Sequence, residues 1–236
     1  MVWESTGYYG QSALRRYELG AGAVGAVGAV GAAAAWAPLP PELFGEGICR
    51  VGDSIWQLTW RERVALRWDA ATLELRDRVR YNREGWGMCT VVGTAPAGPV
   101  AAAEVVTSDG SSELVRRDPD TLEPRAVVQV RCRGERVRGL NDLTWAGGLV
   151  WANVAGTDCL AGIDLETAEI TDVVDARKAA ERHGRDPQAI MNGIAALWQP
   201  GEFLLTGKGW RSIRQVRLVS DRDRGHIGRL LAGLSR

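Results

Sequence analysis

The chain has 236 residues, 45% hydrophobic and 25% charged, enough apolar material for a sizeable core, which excludes an intrinsically disordered polypeptide. Lys plus Arg number 29 and so do Asp plus Glu, so no whole-chain field draws the protein toward nucleic acid or anionic lipid. The 29 glycines, and ten tryptophans against two phenylalanines, suit turns and short aromatic strands and argue against long helices.

Met1-Val2-Trp3-Glu4 has no basic stretch ahead of an apolar run, so the start does not read as a secretory leader. Gly20 to Ala35 is an uncharged Gly-Ala-Val repeat, too short and too glycine-rich against the roughly 18 to 20 strongly apolar residues of a membrane span. It reads as a low-complexity expansion in a surface connection, and no membrane association is expected. Phe44-Gly45-Glu46-Gly47 then sets a carboxylate between two glycines just ahead of an expected strand, where backbone can come close to a ligand. Glu84-Gly85-Trp86-Gly87 repeats the device, Leu140-Asn141-Asp142-Leu143 precedes a further strand set, and Thr206-Gly207-Lys208-Gly209-Trp210 follows the last.

Arginine occurs 27 times and lysine twice, at Lys178 and Lys208. Lys208 is therefore a candidate for a role needing a compact ammonium with a tunable pKa, although a chance surface lysine reads equally well from composition. Cys49, Cys89, Cys132 and Cys159 lie 40, 43 and 27 residues apart without a C-x-x-C pair, and are expected as buried free thiols. His183 and His226, both in charged stretches, are the only histidines, which leaves little for a His-based metal centre or a Ser-His-Asp triad. No metal and no cofactor are expected. Residues 208–236 hold eight basic and two acidic side chains, too sparse for a nucleic-acid arm. Arg211, Arg214 and Arg217 are expected on a solvated strand or turn, with 221–236 as a basic tail after a single domain over 1–220.

A turn-like unit recurs at Trp68-Asp69-Ala70-Ala71-Thr72-Leu73-Glu74, Arg117-Asp118-Pro119-Asp120-Thr121-Leu122-Glu123 and Ile163-Asp164-Leu165-Glu166-Thr167-Ala168-Glu169, its aspartates 49 and 46 residues apart. Tyr17-Glu18-Leu19-Gly20 is a degenerate earlier copy. Asp and Thr three apart can both bond nearby backbone amides, so each copy should close a hairpin. Val51-Gly52-Asp53-Ser54-Ile55-Trp56 and Ala146-Gly147-Gly148-Leu149-Val150-Trp151 read as turn then strand, two repeat periods apart. Short strands on a period of roughly 40 to 50 residues mark β-propeller blades, and this length accommodates five. The expected fold is an all-β, five-bladed β-propeller, whose loops would bring functional residues together from scattered positions.

Nine segments, among them Trp3 to Ser12, Phe44 to Ile48, Gln57-Leu58-Thr59-Trp60, Glu84 to Gly87, Ser108 to Ser112, Leu140 to Leu143, Trp151 to Val154, Met191 to Ala195 and Thr206-Gly207-Lys208, resemble in order the motifs of the plant-type and bacterial glutaminyl-peptide cyclotransferases. The resemblance runs from Trp3 to about Val219. It implies a five-bladed propeller, unrelated to the zinc-dependent animal cyclases, that converts an N-terminal glutamine of a peptide or protein to pyroglutamate with release of ammonia. By resemblance Glu46 is the acid-base proton shuttle, and Phe44, Trp60 and Trp86 line the substrate pocket. Asn141 and Lys208 would bind the amide or the oxyanion. Peptides with an N-terminal glutamine are the implied partners and a monomer is expected. Relatives in bacteria are commonly exported, which implies a periplasmic or extracellular setting that the start of this chain does not itself signal.

The chain departs from the family in several places. The family opens with a Phe-Thr-Gln-Gly-Leu strand and this chain begins after it, so either the true start lies upstream or the first blade is incomplete. A pocket tryptophan usual after Trp-Ala-Asn-Val is here Ala155. Gly20 to Ala35 and Gly93 to Thr107 are expected to lengthen blade loops. The competing reading is a catalytically inactive propeller that binds peptide ends or another protein. A propeller oxidoreductase or sugar-acting enzyme is a third, weakened by the lack of a histidine cluster.

Overall fold

The computed structural model describes residues 1–18, 34–93, 103–180, 190–210 and 212–219, and contains no helix among them. Its strands form five sheets. The first is β1 (Val2–Thr6), β2 (Ala13–Tyr17) and β3 (Ala35–Pro38); the second is β4 (Gly45–Val51), β5 (Ser54–Thr59), β6 (Val64–Asp69) and β7 (Leu75–Arg80). The third is β8 (Met88–Val91), β9 (Glu104–Ser108), β10 (Glu113–Arg117) and β11 (Pro124–Gln129). The fourth joins β14 (Leu140–Ala146), β15 (Leu149–Val154), β16 (Cys159–Asp164) and β17 (Glu169–Asp175), with β12 (Arg131–Cys132) and β13 (Glu135–Arg136) added beyond β17. The fifth is β18 (Met191–Ala196), β19 (Glu202–Gly207) and β20 (Arg214–Arg217). Apart from one parallel pairing of β12 with β17, the registers are antiparallel meanders. The fold is an all-β, five-bladed β-propeller, as the repeat predicts, and the first sheet has three strands where the second has four.

The described chain divides into two compact units. The first carries β1 to β9 with residues 115–126, and the second carries residues 110–114 and the described residues from 127 onward. In the first unit β5 is buried along its whole length and feeds two cores by alternation. Ile55 faces Leu14, Leu43, Leu66 and Trp68, while Trp56 and Leu58 face Cys49, Met88, Val105 and Leu122. Between them Gln57, fully buried, donates to Ser5 Oγ at 2.7 Å and accepts from Trp68 Nε1 at 3.0 Å, so its burial carries no unmet amide. In the second unit Trp151 and Phe203 meet edge to face at 5.7 Å within a core that includes Leu160, Met191 and Ile194.

The recurring Asp–Thr segment is the hairpin from the third to the fourth strand. Asp69 Oδ1 accepts from the N–H of Ala71 and Thr72, both at 2.7 Å. Asp118 Oδ1 does the same with Asp120 and Thr121, and Asp164 Oδ1 with Glu166 and Thr167. These bonds, with the Arg76 guanidinium as a later contributor, pull the Asp69 carboxyl down to about 2. One requirement was not visible in the sequence. Leu73, Leu122 and Ala168, the residue after each Thr, are left-handed, with φ of 60°, 59° and 61°. Leu73 and Leu122 bury their side chains in the two cores, which holds a backbone state an isolated leucine avoids.

Several boundaries differ from expectation. Glu104 to Thr107, assigned to a loop expansion, belongs to β9, and Ala35 opens β3; the remaining residues of those two expansions that fall in 19–33 and 94–102 lie outside the described residues. Thr206 and Gly207 end β19 and Lys208 to Trp210 lead on toward β20, so the segment does not follow the last strand. The short pair β12–β13 carried no periodic signal. All four cysteines are buried free thiols, and burial pushes Cys49 up to about 12. Arg214 and Arg217 lie on β20, where Arg217 pairs with Glu202. Arg211, His183, His226 and the 221–236 tail lie outside the described residues.

Candidate active site

Glu46 lies inside β4 and not ahead of it. Gly45 pairs with Thr59 and Ile48 with Gln57, so three steps of β4 oppose two of β5 and the strand bulges at Glu46–Gly47. Such a bulge bends the strand and re-aims a side chain. The flanking glycines explain why it forms here. A Cβ on Gly45 would lie 2.7 Å from the Thr6 carbonyl oxygen, and one on Gly47 would lie 2.6 Å from Gly87 Cα and 2.8 Å from Met88 N. Gly47 N–H also donates to the Trp86 carbonyl at 2.9 Å. The close approach is therefore to neighbouring backbone, where the sequence suggested a ligand. Glu46 is half-buried, and its charge adds to the upward push on Tyr9, led by the hydrogen bond to Glu62, and on Tyr81, led by burial.

Phe44, one residue before β4, anchors an aromatic group. Its ring lies 5.5 Å from Trp60, 5.2 Å from Tyr9 and 6.2 Å from Tyr8. Tyr9 Oη donates to Glu62 Oε1 at 2.8 Å, and Phe44 N–H donates to Glu62 Oε2 at 3.3 Å. Trp60 N–H donates to the Phe44 carbonyl, and Gly85 N–H to the Trp60 carbonyl, both at 3.0 Å. This ladder sets Glu84 beside Trp60. Both Trp60 Nε1 and Trp86 Nε1 donate to the single oxygen Glu84 Oε2, at 3.0 and 3.4 Å. Glu84 Oε1 lies 3.8 Å from Arg61 Nε, and the Arg61 guanidinium stacks 3.9 Å from the Trp60 ring centroid. Phe44, Glu46, Trp60 and Trp86 are thus gathered in one unit. In the sequence Glu84 stands only as part of a glycine-flanked motif; its bond to Trp60, 24 residues away, is revealed by no local pattern.

Asn141 and Lys208 belong to the second unit. β14 bulges where Leu140 pairs with Val154 and Leu143 with Ala152, leaving Asn141 and Asp142 opposite Asn153. β18 bulges in the same way at Asn192, between the pairs Met191–Gly207 and Gly193–Thr206. Polar residues in these otherwise apolar strands were the available signal. Asn141 is buried. Asp142 Oδ2 accepts from Ile194 N–H at 2.9 Å, but loss of hydration outweighs its backbone donors and pushes the carboxyl up to about 7. Asn153 is fully buried, with neither amide atom partnered by a described residue. Lys208 is half-buried after β19, and its N–H donates to the Ile190 carbonyl at 2.9 Å. Ala155, in place of the family tryptophan, donates its N–H to the Gly139 carbonyl at 2.7 Å. No group of His, Cys, Asp and Glu that could hold a metal ion occurs among the described residues.

A family model described as glutamine cyclotransferase matches residues 1–218. Glutaminyl-peptide cyclotransferase of Arabidopsis thaliana is 29% identical over 221 residues, which is 92% of this chain and 63% of the relative, so the chain spans less than two thirds of that protein. The crystal structure of Myxococcus xanthus glutaminyl cyclase is similar with a TM-score of 0.75 and 30% identity, covering 93% of this chain and 87% of that one. The β-propeller domain of Cps50 (Swd1) from Myceliophteria thermophila matches with a TM-score of 0.50 at 12% identity, covering 94% and 64%, a likeness of fold alone.

Two outcomes are expected from these geometries. Gly47→Ala forces backbone apart and should lower stability by about 1–3 kcal/mol in urea unfolding; an unchanged midpoint would contradict the packing argument. Asp142 holds its proton more tightly folded than unfolded, so its contribution is complete below pH 3.8 and is lost as pH rises toward 7. Across that window the wild-type urea midpoint should fall more than that of Asp142→Asn, which stays neutral and can still accept from Ile194. Equal slopes would refute the assignment.

Proposed function

The chain belongs to the glutamine cyclotransferase family, and from that premise we propose that it cyclises the N-terminal glutamine of peptides or proteins to pyroglutamate. The observation that carries this reading is the half-buried Glu46, set on a bulge two residues after Phe44, whose ring packs against Trp60.

The α-amine of a peptide has a pKa of about 7.7 to 8.0, so near neutral pH most molecules must lose a proton before the nitrogen can attack. Glu46 takes that proton. The amine nitrogen then bonds to the side-chain carbonyl carbon, closing the five-membered ring and placing negative charge on the oxygen. Collapse of this tetrahedral species breaks the bond to the amide nitrogen, which leaves as ammonia carrying the proton returned by Glu46, while the ring nitrogen gives up its surplus proton to water. The balance is one protonated glutaminyl end in, and one pyroglutamyl end, one ammonia and one proton out. Positioned acid-base catalysis of this kind is worth about 10² to 10⁴ in rate. Ring closure is intramolecular, so holding the side chain folded back supplies much of the rest.

Phe44, Trp60 and Trp86 enclose the glutamine methylenes and keep water from the reacting carbon. The roles assigned to Asn141 and Lys208, binding the amide or the oxyanion, rest on motif resemblance. Glu46 moves the proton in this scheme without a zinc ion, and the protein acts as a monomer on peptide ends. Its balanced charge gives nucleic acid no electrostatic hold.

Purified protein mixed with a Gln-initiated dipeptide should release ammonia, and Glu46→Gln should slow release by about 10² to 10⁴. A chelator should leave the wild-type rate unchanged. Equal rates for wild type and variant overturn the mechanism, and binding without turnover would make the protein a peptide-binding propeller.

A further inference from the structure

We propose that Glu84 is a positioning residue that fixes two walls of the pocket through one carboxylate oxygen. It deepens the cyclase reading and rests on it for the meaning of the pocket.

Both indole N–H groups, from Trp60 and Trp86, converge on Glu84 Oε2. An indole has one donor, so engaging it on a charged acceptor removes the freedom of the ring to turn about its side-chain bonds. The two rings flank strands of different sheets of the first unit, Trp60 just after β5 and Trp86 just before β8. A shared acceptor therefore sets their angle to each other, which neither strand alone can do. Glu84 is itself held from two directions. Gly85 N–H is bonded to the Trp60 carbonyl, and the space beside Gly85 is closed, since a Cβ there would lie 2.2 Å from Tyr81 Oη and 2.7 Å from the Thr59 carbonyl oxygen. Glu84 Oε1 faces Arg61 Nε at 3.8 Å, and the same guanidinium lies on the Trp60 ring. Carboxylate, arginine and two indoles form one unit whose carboxylate touches neither the reacting atoms nor Glu46 in the proposed scheme.

This role predicts a specific kinetic signature. Freed indoles weaken the grip on the glutamine methylenes while the proton shuttle stays intact. Glu84→Leu, which fills similar space without an acceptor, should raise KM for a Gln-initiated peptide about tenfold and change kcat by less than about threefold. Glu84→Gln keeps one acceptor oxygen and should recover most of the loss. A second readout needs no turnover. In protein labelled with 15N at tryptophan, the indole resonances assigned by Trp60→Phe and Trp86→Phe should both move upfield in Glu84→Leu, and at least one should move in Glu84→Gln. If Glu84→Leu does not fold, Glu84→Gln carries both measurements, with a smaller rise in KM. Unmoved indole resonances overturn the proposal, as does a loss that falls on kcat with KM unchanged. Wild type without ammonia release would instead sink the cyclase reading and leave the indole measurement to decide the anchor.

Discussion

The first unit depends on how closely its strands approach one another at glycine. Gly47 lies so near Gly87 and Met88 that no side chain fits between them, and Gly45 meets the Thr6 carbonyl in the same way. The backbone between those two contacts cannot keep the regular pleat, and the surplus appears as the bulge at Glu46–Gly47. The carboxylate thus owes its presentation to packing on either side of it. The glycines do not make room for a ligand; they bring neighbouring chain segments close enough to set the carboxylate.

The device recurs with different chemistry. β14 places Asn141 and Asp142 on its bulge, and β18 places Asn192 on its own. Each is the first strand of a meander, and each carries a polar side chain where regular alternation would call for an apolar one. Asp142 shows the electrostatic consequence, since burial raises its carboxyl to about 7 despite a good backbone donor. Glu46 acts electrostatically on Tyr9 and Tyr81, and the aromatic group at Phe44 is partly open, with Tyr8 46% and Tyr9 50% exposed.

Much of this was legible in the sequence where the physics is local. The Asp–Thr hairpins followed from side-chain bonds that span two or three residues, and their spacing gave the blade count. Residues whose roles depend on distant partners were harder to read. The left-handed Leu73 and Leu122 are held by cores assembled from other strands. β9 follows directly on a low-complexity stretch and was absorbed into it, and β12–β13 is too short for any period. The Phe44–Glu46 segment was found by motif, but its bulge was not, because a glycine-flanked glutamate reads equally as a turn. Glu84 stood in plain view as Glu-Gly-Trp, and only the fold shows that Trp60 shares its oxygen.

The central claim, cyclisation by attack of the α-amine with loss of the side-chain nitrogen, is tested most directly with a Gln-initiated peptide carrying 15N in its side-chain amide. Incubated with the protein and followed by mass spectrometry, the peptide should lose one ammonia, and all of the label should appear in the released ammonia. A peptide that keeps its mass contradicts the account. So does one that exchanges its amide for a carboxyl group, since that outcome is hydrolysis by water and leaves the α-amine free.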